Sequence, residues 1–458
     1  MTLLNELSAE VCRRARMSRD PRFDGRFFVA VKTTGIFCRP ICPANLPKEE
    51  NVEYFSSQAL AVSAGYRPCL RYRPCLRCRP ESAPHSWAWK GAETTFLRAL
   101  TLIEQGELDG SLETLASRLG ISDRYLRQLF QRHLGMPPKQ YAQIQQLMFA
   151  KQLLHTSQIS ITEVAYASGF QSTRRFNDAF QKLFRLTPTQ VRRERAALPS
   201  RNHLSLAFRG PFDWSHMLDF YRLRAIEGME QVDEQSYQRY FILGEGKGWF
   251  KASMAQSHLD IEFEMERLSD LRHLVARLRR MFDLDADLIS IEAHLEQLAP
   301  GLVRRAGIRI PGVWNAWEAG VRAVLGQQVS VKAAIGQLNL LVSTLAASEG
   351  STRYFPTPEQ VQMSDLSFLR MPERRKETLK RLADYVRLHP MDSPIAWLSL
   401  SGIGPWTVDY AQLRGESRSH CFLTGDLIVK KALAKFPQLT AESVAPWGSY
   451  ATFHCWSH

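Results

Sequence analysis

Five of the eight cysteines, Cys38, Cys42, Cys69, Cys75 and Cys78, crowd into residues 38–78 of a 458-residue chain. A reducing compartment disfavours disulfides, so such a cluster points to a metal. Cys38-x3-Cys42 and Cys75-x2-Cys78 form two close pairs of soft ligands, and four thiolates suit a tetrahedral zinc site. RPCLRY (67–72) and RPCLRC (73–78) are a direct repeat, so five cysteines compete for four places. Cys75 and Cys78 keep a spacing that lets both sulfurs reach one ion, whereas Tyr72 stands where Cys69 would find its near partner. The spacing therefore predicts Cys38, Cys42, Cys75 and Cys78 as ligands of one Zn2+, with RPCLRY lengthening the loop between the pairs. Six extra residues in a long loop cost well under about 1 kcal/mol of closure entropy. The other register keeps Cys69 and only one of Cys75 and Cys78. On spacing alone, a zinc clip that merely holds a small basic domain together explains the cluster as well.

A chain of this length is expected to hold two to four domains. No run approaches the roughly 18–20 apolar residues of a membrane span, and the N-terminus lacks a signal peptide's apolar stretch, which predicts a cytoplasmic protein with no membrane partner. Residues 1–200 carry 29 Lys/Arg against 17 Asp/Glu, while residues 201–458 carry 30 against 29. The first 200 residues thus suit a polyanion, most simply nucleic acid, although a solvated basic face would have the same composition. RPESAPHSWAWKGAE, around 79–93, and RAALPSRNH, 195–203, read as linkers.

Between the linkers lies a quasi-repeat: Ala116 and Gly120 are four apart, as are Ala165 and Gly169, and 49 residues separate the two pairs. Each marks a helix, a sharp turn and a second helix. Ser122 can cap one second helix, and Ser160-x-x-Glu163 has capping-box spacing at the start of the other copy. Two helix-turn-helix units are predicted. Their second helices bury Leu126, Leu129 and Phe130, or Phe176 and Phe180, and leave Arg124, Arg127 and Gln128, or Arg174, Arg175 and Asn177, for a DNA groove. A helical hairpin that touches no DNA is the alternative for either copy alone. Gly169, Phe170, Ser172, Phe176, Phe184, Thr187 and Pro188 match a GF-x-S-x3-F…F…TP pattern that resembles AraC-type regulators over roughly residues 95–193.

The cysteine region also carries a resemblance. DGRFFVAVKTTGIFCRPICPA, from Asp24, with the RPC-x-x-C-RPE ending, is similar to the N-terminal domain of Ada adaptive-response proteins over roughly residues 8–82. The resemblance implies that zinc-bound Cys38 accepts a methyl group from a DNA methylphosphotriester. It expects one copy of the repeated hexapeptide where this chain has two. Zinc holds a thiol as the nucleophilic thiolate at neutral pH. Four thiolates on Zn2+ make a site of charge −2, which alkylation of one sulfur reduces to −1, so repair can raise affinity for DNA.

Beyond residue 203, YQRYFIL, GWFKASM and LDIEFEME read as strands, and helical periodicity dominates from Arg267. LSGIGPWT (400–407) joins two helix-like segments through a Gly402-Ile403-Gly404 turn, where backbone N–H groups can approach a phosphate. A plain interhelical turn would look the same, but Asp426 follows 22 residues after Gly404. With PFDWSHMLDF (211–220), GVRAVLGQQVS (320–330) and PWGSYATFHCW (446–456), the pattern resembles AlkA-type 3-methyladenine glycosylases of the helix-hairpin-helix superfamily over residues 203–458. The resemblance implies that Asp426 stabilises the electron-poor sugar left by the departing base, an N-cap being its bland alternative. It places Trp406, Tyr410, Trp456 and Phe220 around a flipped base, where electron-rich faces favour a cationic alkylated purine, although Phe220 taken alone reads as core. Trp406 stands where Schiff-base-forming members carry lysine, which implies a monofunctional glycosylase without cofactor. Gln328 replaces an apolar wedge and Gly448 an arginine. No Pro-Cys-His-Arg motif marks an O6-alkylguanine methyltransferase, and Cys421 and Cys455 read as buried thiols.

The expected fold is multidomain and mainly α with small α+β parts. A zinc-binding α+β methyl-acceptor domain (1–85) precedes an all-α double helix-turn-helix domain (86–196). A glycosylase follows (200–458), with a β-rich subdomain (200–275) and a helical helix-hairpin-helix region (276–458). The expected function is excision of alkylated purines such as 3-methyladenine, coupled to a methyl-acceptor switch for transcriptional activation. The implied partners are alkylated and operator double-stranded DNA and RNA polymerase, in the bacterial cytosol and on the nucleoid. The rival reading is a regulator whose C-terminal domain binds damaged DNA without catalysis; Asp426 and the hairpin argue against it. A third, a structural zinc module on a repair enzyme, would take up no methyl at Cys38.

Overall fold

The computed structural model describes residues 8–19, 23, 26–42, 44–69, 94–104, 108, 111–119, 121–193, 202–345, 348–390 and 392–457. Cys75, Cys78, Gly120 and nearly all of both linkers lie outside these. The chain divides into two compact units, 1–203 with 268–273, and 204–267 with 274–458.

The first unit opens with helix Ala9–Ser18, whose N-terminus is capped by Ser8. A four-stranded sheet follows in the order Val52–Phe55, Phe28–Val31, Ile36–Cys38, Arg67–Pro68. The first three strands are antiparallel and the last runs parallel to Ile36–Cys38. Period-two alternation splits the sheet's apolar residues between two cores. Phe27 and Val29 pack with Cys12 and Ala15, while Phe28, Ala30 and Phe37 pack with Ala61.

Further along, helices Leu112–Arg118 and Asp123–Leu134 form one pair, and Ile161–Ala167 and Thr173–Phe184 another, with helix Pro138–Thr156 between them. Ser122 accepts the Tyr125 N–H, and Ser160 and Glu163 complete a reciprocal capping box. Gly169 turns with φ +84°, a conformation that favours glycine. Leu126, Leu129, Phe130, Phe176 and Phe180 are buried, and Arg124, Arg127, Gln128, Arg174, Arg175 and Asn177 are exposed.

The second unit holds a five-stranded sheet in the order His203–Ala207, His258–Met265, Gly246–Met254, Ser236–Leu243, Glu230–Val232. The last four strands pair antiparallel. Helix Trp214–Arg222 interrupts this strand-rich stretch, its N-terminus capped by Asp213. In the helical part, helix Ala316–Leu325 packs against Pro405–Glu416 at very short range, since a Cβ on Gly415 would lie 2.5 Å from the Ala316 Cα. Arg239 and Arg322 pair with Glu230 and Glu318 in a fully buried network that fixes Arg322. Arg322 has burial against it, but the two carboxylates hold its pKa above its ordinary value. None of the described helices is long and apolar enough to cross a membrane.

Candidate functional sites

The second unit contains a cavity of about 420 Å3 lined by Phe220, Trp406, Tyr410 and Trp456, the four aromatics expected around a base, and by Asp426. They come from four segments. Trp406 and Tyr410 share one face of helix Pro405–Glu416, their rings stacked at 5.3 Å and 27°. Phe220 and Trp456 stand nearly parallel, at 12° with centroids 6.3 Å apart.

Asp426 lines the cavity and also caps a helix. It is the N-cap of helix Leu427–Leu433, and its Oδ1 accepts from the Ile428 and Val429 amides at 2.9 and 3.2 Å. The same oxygen accepts from Trp456 Nε1 at 3.1 Å. Oδ2 takes no hydrogen bond among the described residues. Three donors thus fix the carboxyl group through one oxygen and leave the other for the cavity.

Three arginines that the sequence reading missed surround the aromatic wall. Arg224 sits 3.7 Å and Arg414 4.8 Å from the Phe220 ring centre, and Arg414 Nη1 donates to Tyr410 Oη at 2.8 Å. Burial pushes the Tyr410 phenol up, yet Arg414, Arg224 and Arg322 bring it below its ordinary value. Phe220 lines the cavity and is already engaged by two resident cations. Arg224 and Arg414 each lie four residues after a pocket aromatic, the one signal that could have found them.

The hairpin is present, although the segment before it is a 3-10 turn, Pro394–Ser399, rather than an α-helix. Gly402 has φ +94°, and a Cβ there would lie 2.1 Å from Thr378 Oγ1. Gly404 caps the next helix with nothing within 4 Å of a would-be Cβ, leaving its approach open. Gln327, unnoticed in the sequence, donates to the Gly402 carbonyl at 3.1 Å and to Thr407 Oγ1 at 3.2 Å. Its neighbour Gln328 is exposed and adopts a left-handed conformation, φ +56°, uncommon outside glycine. Gln328, Gly402 and Gly404 do not line the cavity. Gly448 has a steric reason: a Cβ would lie 2.6 Å from the His420 carbonyl oxygen, so the helix carrying Trp456 seats directly on that strand of chain.

In the first unit, Cys38 ends strand Ile36–Cys38, and Cys42 follows a turn closed by its N–H to the Arg39 carbonyl, 3.1 Å. The parallel register Ile36 with Arg67 and Phe37 with Pro68 brings Cys69 beside Cys38, and the Cys69 N–H donates to the Phe37 carbonyl at 3.1 Å. Hydrogen bonds shared with Cys42 and Cys69, together with burial, hold the Cys38 thiol well above its ordinary pKa. Cys69, set aside on spacing, is thus at the site, while Cys75 and Cys78 fall outside the described residues. Among the described residues no group of three or more His, Cys, Asp or Glu is placed to hold a metal ion. Lys151, 4% exposed on helix Pro138–Thr156, donates to the Cys69 carbonyl at 3.2 Å. Burial raises Cys421 and Cys455 to about 12, as inert buried thiols.

Three families match the chain. The metal binding domain of Ada matches residues 11–74, a helix-turn-helix domain 115–194, and the AlkA N-terminal domain 203–315. The chain is 34% identical to a probable bifunctional transcriptional activator/DNA repair enzyme AlkA of Mycobacterium tuberculosis, covering 98% of this chain and 96% of the relative. It is 34% identical to DNA-3-methyladenine glycosylase 2 of Escherichia coli over 55% of this chain and 96% of that protein. Over 38% of this chain and 47% of the relative it is 34% identical to the bifunctional transcriptional activator/DNA repair enzyme Ada of Escherichia coli.

Proposed function

Because the chain belongs to the family of bifunctional transcriptional activator/DNA repair enzymes AlkA, we propose that its aromatic cavity is where it excises alkylated purines and that Cys38 is where it accepts methyl. The protein is a DNA-3-methyladenine glycosylase joined to a methyl-accepting, DNA-binding activator. The observation that carries the site assignment is Asp426, locked through Oδ1 and free at Oδ2 on an aromatic cavity.

A base flipped from the duplex is held by stacking on Trp406, Tyr410 and Trp456, with Phe220 and its two arginines in the wall beside it. Its bond to the sugar breaks with the electron pair leaving on the base, and positive charge develops at the anomeric carbon. Asp426 Oδ2 opposes that charge at no cost of rearrangement, and can hold the water whose oxygen then bonds to the sugar. Gly402 and Gly404 would present backbone N–H groups to a phosphate, and Gln328, exposed and already in an unusual backbone conformation, would enter the gap in the stack. With Trp406 after Pro405, no lysine among the described residues lines the cavity to form a Schiff base. Borohydride is therefore expected to trap no enzyme on alkylated DNA while 3-methyladenine is released; a covalent adduct in a denaturing gel would overturn the monofunctional reading.

For the metal, Cys38 and Cys69, side by side at one end of the sheet, and Cys42, four residues after Cys38, would be soft donors for Zn2+, with the fourth from the Cys75 and Cys78 pair. The family match through residue 74 includes Cys69 and stops before Cys75. Bound there, Zn2+ would hold the Cys38 thiol, which otherwise resists ionisation, as a thiolate. Cys38 Sγ then bonds to the methyl carbon as the carbon–oxygen bond breaks, and the electron pair returns to phosphate oxygen, restoring a diester. Arg124, Arg127, Arg174 and Arg175 are the proposed groove contacts, and RNA polymerase is the partner an activator would engage. Methylation at Cys38 removes one negative charge near phosphate, and the buried Lys151 ties this site to the helical module. Operator affinity is expected to rise on methylation and the gain to shrink as salt increases. Unchanged affinity over a salt series, with methylation confirmed by mass, would leave the N-terminal domain to repair alone.

A further inference from the structure

His216 and Phe220 lie four residues apart on helix Trp214–Arg222, so they share a face, and both line the aromatic cavity. Phe220 is the ring that stands parallel to Trp456, and Trp456 holds Asp426, so His216 lies one helical turn from the stacking surface. Its imidazole is half-buried and makes no hydrogen bond among the described residues. Other polar groups of the cavity are engaged: Tyr410 by Arg414, Arg322 by Glu230 and Glu318, and Asp426 Oδ1 by three donors. An unbonded imidazole in the wall can donate from one nitrogen and accept at the other, which suits the mixed donor and acceptor edge of a purine.

We propose that His216 is a specificity-determining residue that hydrogen-bonds the heteroatom edge of the flipped purine and selects lesions by charge. The inference rests on the cavity being the base pocket. A neutral imidazole accommodates the positive charge of an N-alkylpurine, whereas an imidazolium repels it. Burial lowers the His216 pKa below 6.5; Asp213 and Asp219 oppose this, and Arg305 and Arg224 reinforce it. The ring is therefore neutral at pH 7 and becomes a cation only in acid.

The test measures kcat/KM for release of 3-methyladenine from methylated DNA between pH 5 and 8, in the full-length protein and in His216→Gln and His216→Leu. Wild type is expected to lose about tenfold or more on the acid side, and His216→Gln to lose much less, because its amide keeps a hydrogen bond but does not titrate. At pH 7.5, His216→Gln should stay within about threefold of wild type, and His216→Leu should fall about tenfold or more with unchanged melting temperature. Superimposable pH profiles for wild type and His216→Gln, or a folded His216→Leu within twofold of wild type, would overturn the proposal. Asp426→Asn is assayed alongside: full activity there would take Asp426 out of the mechanism and with it the observation that assigns the base to this cavity, a failure distinct from one confined to His216.

Discussion

Asp426→Asn is expected to slow release of 3-methyladenine by about a thousandfold while the protein stays folded and DNA affinity changes by less than about threefold. The separation follows from how the carboxyl group is held. Asparagine is as good an N-cap as aspartate, and its carbonyl oxygen can take over the bonds from Ile428 N, Val429 N and Trp456 Nε1. What disappears is the negative charge at the second oxygen, the one free on the cavity. A charge matters most when the sugar becomes cationic, so the loss should fall on the chemical step and not on binding. Single-turnover release of free base, beside a melting curve and a DNA titration, checks it. Near-wild-type release by a folded variant would take Asp426 out of the mechanism.

The features legible in the sequence are those whose physics is local. A capping box spans four residues, so Ser160 and Glu163 announced a helix start that the structure forms. Strand alternation and the Gly402 turn are likewise set within a few residues. The cavity residues were legible for another reason, since each sits in a short motif whose resemblance to AlkA-type enzymes carries it. What was not legible depends on segments far apart in the chain. Arg224 and Arg414 meet on Phe220 from opposite ends of the second unit's sequence, and no periodicity joins them. Their presence changes the chemistry expected of the wall, because cations already occupy the Phe220 face. Trp406, Tyr410 and Trp456 remain as the aromatic surfaces for a charged base. Gly448 shows the same limit, since its missing side chain makes sense only beside His420 and Phe422.

Cys69→Ala is expected to abolish stoichiometric zinc binding, and of Cys75→Ala and Cys78→Ala at least one should retain the metal. Spacing favours the opposite, because Cys75 and Cys78 preserve a two-residue interval and Cys69 does not. Backbone register favours Cys69: strand Arg67–Pro68 lies parallel to Ile36–Cys38, and the Cys69 N–H to the Phe37 carbonyl fixes the cysteine beside Cys38. Lys151 pins the same residue from the other side through its carbonyl. Cys69→Ala takes away the sulfur that this register holds beside Cys38, whereas the repeated RPCLRC offers two sulfurs for a single remaining place. The effect should be large, since binding free energy at a structural thiolate site is folding free energy, about 10–16 kcal/mol in small zinc domains. Elemental analysis of the three variants, with circular dichroism to follow the N-terminal domain, gives the count. Zinc retained by Cys69→Ala and lost from both Cys75→Ala and Cys78→Ala would restore Cys38, Cys42, Cys75 and Cys78 as the ligand set, and would make the first hexapeptide a loop insertion beside the metal.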